Sequence, residues 1–204
     1  LTPKKVPLFT GHTHYVKWIE EQLARKVMWN ERHLWTSVRP NGPGRPYELN
    51  RLEIRICDLI TDCDLLLAVT ALIELRILNL FENLNKFDPL LASSLDANKL
   101  ADLSDMNDVA AANNSLEATL HDWKDGSPIL CREWISRLLE EINPLARQMG
   151  IDPLLAPIGA VLDHGNQAMK WLKAQSHGCS IKDVLQKSIA QMEAQESNEK
   201  SGAI

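Results

Sequence analysis

Residues Asn50 to Asp58, NRLEIRICD, alternate apolar and charged side chains. In an extended strand successive side chains point to opposite faces, and residues two apart stand roughly 6.5 to 7 Å from each other on one face. The pattern therefore predicts a strand that buries Leu52, Ile54 and Ile56 and leaves Arg51, Glu53 and Arg55 side by side on its other surface. Upstream, Leu34, Thr36 and Val38 alternate with Trp35, Ser37 and Arg39 until Pro40 and the following glycines stop the period. This reads as another strand, followed by a loop around Asn41 to Pro46 that is longer than a tight hairpin turn. Strands so close in sequence are expected to pair antiparallel. A lone two-stranded ribbon is seldom stable in water. The chain offers no convincing further strand, so this pair needs partners.

The remainder reads as helix. Val16, Ile19 and Leu23 recur at three- and four-residue spacing and predict an amphipathic helix over Thr13 to Arg25. From Asp62, DCDLLLAVTALIELRILNLFENL is nearly continuous in leucine and isoleucine, which predicts a helix buried on most sides, with Thr61 and Asp64 as its capping box. Glu74 and Arg76 within that run would be costly in hydrocarbon, which argues against a membrane span. The alanine-rich stretch Asp105 to Trp123 predicts a helix ending before Gly126. Ser127 and Pro128 then cap and open a helix through Leu139 and beyond, which Pro144 should kink or end. Asp152 and Pro153 restart a helix that stops near Gly165. Ser180 with Asp183 caps a last one, which leads into the polar tail QESNEKSGAI, expected to be disordered over 196–204. The fold class is α+β, mostly helical with a short antiparallel strand pair.

Composition bears on partners and compartment. With 204 residues, 45% hydrophobic and 24% charged, and a net charge of -5, the chain has the balance of a soluble globular protein. No polyanion-binding surface is implied, so nucleic acid is not an expected partner, and neither is a membrane. The tryptophans Trp18, Trp29, Trp35, Trp123, Trp134 and Trp171 lack an accompanying basic stripe and read as packing residues. Cys57, Cys63, Cys131 and Cys179 form no CxxC pair and are expected to be reduced thiols in a cytoplasmic protein. LTPKKVPLFT has lysines with no apolar run behind them, so it does not read as a signal peptide; starting on leucine, it leads us to expect residues missing upstream.

His12 and His14 in GHTH do not complete the usual ligand set of zinc and read as the start of the first helix. Cys57 lies beside Arg55, six residues before Cys63, and reads either as an inert thiol or as half of a redox pair. Asp58 either orients Arg55 or Arg39 or caps the following turn. The charged strand face itself has two readings. One is a solvated cross-strand ion pair, worth about 0 to 1 kcal/mol when exposed. The other is an anion site, in which Glu53 holds a divalent cation while Arg55 and Arg39 grip phosphate oxygens with their planar forks.

WTSVRP followed by NRLEIRICD and a long apolar helix resembles the C-terminal half of the glutamate-cysteine ligases, in the family that includes the bacterial carboxylate-amine ligases, and most closely the cyanobacterial type. NNSLEATLHDWKDG resembles that family's asparagine-containing helix, and LDHGNQAMKWL its terminal glycine-alanine segment. The resemblance implies a fold related to glutamine synthetase, with a curved antiparallel sheet around ATP and the amino-acid substrates. It implies that ATP phosphorylates the γ-carboxylate of L-glutamate and that the amine of L-cysteine displaces the phosphate, giving γ-glutamylcysteine, the first step towards glutathione. By the same resemblance Glu53 is expected to be a Mg2+ ligand. Arg55 is expected to face the γ-phosphate and the glutamyl phosphate, and Arg39 to be a second phosphate or substrate arginine.

Residues 1–195 are then expected to form the C-terminal part of a single ligase catalytic domain. Its metal-binding glutamate-rich strands belong to an absent N-terminal half, so the chain alone is expected to be inactive, and a homo-oligomer is allowed. The arginines of the family's asparagine motif are replaced here by Ser115 and Glu117, so only Asn114 and Ala118 carry over. Two alternatives stand beside this reading: a carboxylate-amine ligase with another amine acceptor, and a non-catalytic helical interaction module whose arginine and glutamate strand is only an ion-paired face.

Overall fold

A computed structural model describes residues 3, 5–34, 36, 38–40, 52–55, 57 and 59–202, with side chains as far as Ser197. The chain divides into two units, Leu1–Leu59 with Ala97–Ala101, and Ile60–Asp96 with Asp102–Ile204. In the first, helix α1 (His12–Ala24) turns Tyr15 and Ile19 into a core completed by Met28 and Leu34. Phe9 stands edge-on to Tyr15 and Trp18 at 5.2 and 5.5 Å. The helix ends with Lys26 N–H on Leu23 O and Val27 N–H on Gln22 O, a doubly bonded stop that puts Lys26 at φ 57. A 3₁₀ turn, Glu31–His33, follows, its start closed by the Asn30 side chain accepting from Arg32 N–H.

The two expected strands form and pair antiparallel, but they are short. Strand β1 (Val38–Pro40) lies against β2 (Leu52–Ile54) in the register Val38↔Ile54, Arg39↔Glu53, Pro40↔Leu52. The first does not begin at Leu34, because that side chain is drawn into the α1 core, only 1% exposed, before the chain extends. Nor does the expected burial of Leu52 hold. It is 55% exposed and Ile54 is half-buried, since a ribbon of two short strands has little apolar surface to lay over them. Trp35, Ser37, the loop at Asn41 to Pro46, Arg51, Ile56 and Asp58 lie outside the described residues.

The second unit opens on α2 (Cys63–Glu82). Its cap is Asp62, whose side chain accepts from Leu65 N–H at 2.9 Å, rather than the expected Thr61 with Asp64. A carboxylate both accepts the orphan N–H and favours the positive helix end, while Thr61 is buried with its hydroxyl unbonded. The helix is buried on one face, through Ala68, Ala71 and Leu75, and not on most sides: Leu66, Leu67 and Phe81 are exposed. Arg76, within the apolar run, pairs with Glu141 at 2.9 Å and lies 4.6 Å above the Phe87 ring. Two short helices, α3 (Leu84–Phe87) and α4 (Pro89–Ala92), lead to α5 (Ala97–Asn114).

The helix expected from Asp105 to Trp123 thus starts earlier and stops at Asn114. A 3₁₀ turn, Ser115–Glu117, leads into a hairpin of β3 (Thr119–His121) and β4 (Pro128–Leu130), so Pro128 opens a strand and not a helix. This ribbon was not expected, and two features hold it. Ala118, Leu120 and Ile129 form a buried cluster, and the Asn107 side chain of α5 bonds both the N–H (2.8 Å) and the C=O (2.9 Å) of His121 as a neighbouring strand would.

Helix α6 (Cys131–Met149) continues through Pro144 rather than ending there. Leu75, Ile142 and Ala146 form a fully buried cluster on either side of that proline, and their packing outweighs the lost backbone bond. A 3₁₀ turn at Asp152–Leu155 continues into α7 (Ala156–His164), which stops at Gly165 as expected, and Asn166 caps α8 (Gln167–Ser176). The expected Ser180–Asp183 capping box forms, Asp183 N–H bonding Ser180 Oγ at 3.2 Å and Ser180 N–H bonding Asp183 Oδ2 at 3.0 Å. It starts α9 (Ile181–Gly202), which remains helical to 202 where a tail from 196 was expected, its Gln, Glu, Lys and Ala residues being good helix formers. Among the described residues no helix is long and apolar enough to cross a membrane.

Candidate active site

The antiparallel register puts Arg39 directly opposite Glu53. Arg39 Nε donates to Glu53 Oε2 at 3.0 Å, Nη2 donates to the same oxygen, and Nη1 reaches the Glu31 carbonyl at 3.4 Å. The pair is lopsided, the Arg39 side chain 11% exposed and that of Glu53 46%. Arg55 is exposed at the end of β2 and donates through Nη1 to the Leu34 carbonyl at 2.8 Å. Both guanidiniums are therefore anchored on one stretch of backbone, residues 31–34, which the Asn30 cap and the buried Leu34 side chain hold in place.

Tyr15 closes the other side, its hydroxyl donating to the Pro40 carbonyl at 3.4 Å. Burial, and secondarily the Glu31 charge, push the Tyr15 phenol above its ordinary pKa, while the Arg39 cation pulls the other way. The contact that forms is thus across the strands, Arg39 with Glu53, where the alternation alone pointed to Glu53 and Arg55 as neighbours on one strand. Sequence reasoning missed Tyr15 and the two carbonyls. The phenol is visible only as one apolar position of α1, and a carbonyl has no residue signature.

Among the described residues no group of three or more His, Cys, Asp or Glu side chains is placed to hold a metal ion. Glu53 is the carboxylate that the strand pair itself supplies. The four cysteines are free thiols, Cys57 and Cys63 exposed, and burial pushes the Cys131 thiol up against the opposing charge of Arg132. His14 Nδ1 accepts from Thr10 N–H at 3.3 Å, a helix-start role.

The two helical motifs meet in the second unit. Asn166 of LDHGNQAMKWL donates to Ser115 Oγ of NNSLEATLHDWKDG at 2.5 Å. Arg132 ties the same turn down, pairing with Glu117 and donating to the Leu162 carbonyl at 2.8 Å. Ser115 has φ 52. Asn114 is exposed and its side chain makes no capping bond, whereas Ala118 is buried.

The family model for glutamate-cysteine ligase family 2 (GCS2) matches residues 2–199, a span that takes in the strand pair and both helical motifs. Three similar proteins carry the name "Putative glutamate--cysteine ligase 2". The one from Gloeobacter violaceus is 27% identical over 180 residues, covering 87% of this chain and 45% of its own. That from Solibacter usitatus is 23% identical, with 91% and 46% covered, and that from Sorangium cellulosum 24% identical, with 90% and 46% covered. The chain spans about half the length of the curated relatives it matches. With nearly all of its residues matched by that one family, the chain belongs to glutamate-cysteine ligase family 2.

Proposed function

We propose that this chain serves in an ATP-dependent ligase of the cytoplasm. The ligase joins the γ-carboxylate of L-glutamate to the amine of L-cysteine through a γ-glutamyl phosphate, the first step of glutathione biosynthesis. The observation that carries this reading is the Arg39–Glu53 pair with Arg55 beside it, in a chain matched by the family from residue 2 to 199. Phosphoryl transfer demands positioning and charge neutralisation far more than a protein nucleophile.

Arg55, exposed and tethered by one nitrogen, is the residue we assign to the γ-phosphate and the glutamyl phosphate. Arg39 has donors on all three nitrogens engaged by protein oxygens. We therefore give it the task of holding Glu53 in place rather than the direct phosphate contact expected from the resemblance. Mg2+ takes one or two carboxylates together with phosphate oxygens and waters, so one half-exposed carboxylate fits it in kind. Bound there, the ion would neutralise charge on the transferred phosphoryl group. We extend the reading to a fold related to glutamine synthetase, in which β1 and β2 join a larger antiparallel sheet; the exposed Leu52 on so short a ribbon supports this.

A non-catalytic module is the second reading, favoured by the full engagement of Arg39, which a structural ion pair also requires. ADP release by the full-length protein with glutamate and cysteine, followed as Mg2+ is varied, separates the two. Under the ligase reading Arg55→Gln lowers kcat by about 10²- to 10³-fold, as loss of one charge-stabilising donor does, and Glu53→Gln raises the Mg2+ requirement. Absence of ADP release from the wild type, or an unaltered rate and Mg2+ dependence in Glu53→Gln, would falsify the assignment. Replacing cysteine by other amines in the same assay identifies the acceptor.

A further inference from the structure

Within the second unit, the start of α2 and helices α8 and α9 line an open cavity of about 210 Å³. Leu65, Trp171, Ala174 and the buried Val184 form one apolar wall, and the rest of the lining is polar. Two lysines, Lys170 and Lys187, stand at its rim, and among the described residues neither has a carboxylate within ion-pair distance. Lys187 Nζ instead lies 3.9 Å from Cys179 Sγ. The acid that shares the cavity, Asp62, is engaged by the Leu65 N–H at 2.9 Å. At the base the Ser188 hydroxyl donates to the Val184 carbonyl at 3.1 Å and accepts from Gln167 Nε2 at 3.5 Å, so it is already satisfied.

Helices α8 and α9 bring the positive charge: between Gly165 and Gln191 they carry four lysines and one aspartate, while the whole chain carries -5. An apolar body fits that wall, and a single anionic group fits the rim, the usual division of labour in a ligand pocket. We infer that this cavity binds a small carboxylate whose remainder is an aromatic ring or a branched hydrocarbon. The ring packs on Trp171, and the carboxylate lies between the Lys170 and Lys187 ammonium groups. This site does not depend on the ligase reading.

Tryptophan fluorescence of the full-length protein, titrated with benzoate, tests it, with benzyl alcohol and inorganic phosphate as probes of the ring and the charge alone. Benzoate should give a saturable change that Trp171→Phe removes and that Glu53→Gln leaves intact. Each comparison probe should bind at least ten-fold more weakly. The double variant Lys170→Gln/Lys187→Gln should weaken benzoate at least ten-fold without altering benzyl alcohol, and Lys170→Arg/Lys187→Arg should retain binding. Circular dichroism melts check that each variant keeps the fold. Phosphate bound as tightly as benzoate, equal benzoate affinity in the double glutamine variant, or no saturable response overturns the inference.

Discussion

Replacing Arg39 by Met and Glu53 by Leu, singly and together, measures how the ion pair is built into the first unit. The cost of each single change depends on the partner left behind. Arg39→Met leaves a carboxylate that is 46% exposed and can turn to water. The loss is a partly exposed charge-assisted pair and the Nη1 bond to Glu31, about 1 to 1.5 kcal/mol. Glu53→Leu leaves a guanidinium that is only 11% exposed with no acceptor for Nε and Nη2. A buried, uncompensated cation makes this change cost about 2 to 4 kcal/mol.

In the double variant two apolar side chains face each other across the strands, at a cost of about 1 kcal/mol or less. The coupling energy is then at least about 2 kcal/mol, above the roughly 0.2 to 1 kcal/mol of exposed pairs. Urea unfolding of the four proteins gives these differences from the midpoints, provided the slopes agree. If the Arg39 variant were the less stable single mutant, or the coupling fell to the surface value, the asymmetry argument would be refuted.

Three further outcomes are expected. Lys26→Gly should stabilise the protein by about 0.5 to 1 kcal/mol, because Lys26 sits at φ 57 just past α1, where glycine avoids the side-chain clash; an unchanged or lowered melting temperature would contradict this. Tyr15, whose phenol is raised by burial and held back by Arg39, contributes stability that is complete below the ordinary tyrosine pKa of about 10 and is lost as pH climbs through the higher folded value. In a Tyr47→Phe background, Arg39→Met should move the ultraviolet titration of Tyr15 further up, and a downward move would contradict the placement of that charge. Asp183 is lowered first by the Ser180 hydroxyl and then by the Ser180 backbone, so its contribution is complete above the ordinary carboxylate pKa of about 3.9 and is lost as pH falls through the lower folded value. Ser180→Ala should bring the Asp183 carboxyl, followed by NMR, back towards that ordinary value and fray the first turn of α9; no movement would contradict the capping box.

The features legible in the sequence are those whose cause lies within a turn or two of chain. The period of Val16, Ile19 and Leu23 marks α1, the Ser180–Asp183 spacing starts α9, Gly165 stops α7, and alternation around Arg39 and Glu53 marks two paired strands. The β3–β4 hairpin was hidden because its strands are three residues long and β3 is steadied by Asn107, a helical side chain that no strand pattern includes. Pro144 is a helix breaker by its own chemistry, and only the buried cluster around Ile142 and Ala146 overrides it.

From its residues alone the chain determined which side chains carry charge on the strand pair, and that the strands run antiparallel. Tertiary structure decided that Glu53 meets Arg39 across the ribbon, that Arg39 is sunk while Arg55 stays exposed, and that both hang from the backbone at residues 31–34. Local patterns follow from backbone geometry, which each residue feels directly. Register, burial and the choice of carbonyl partner depend on residues far apart in sequence, and they are settled only when the α1 core draws in Leu34 and sets where the next strand begins.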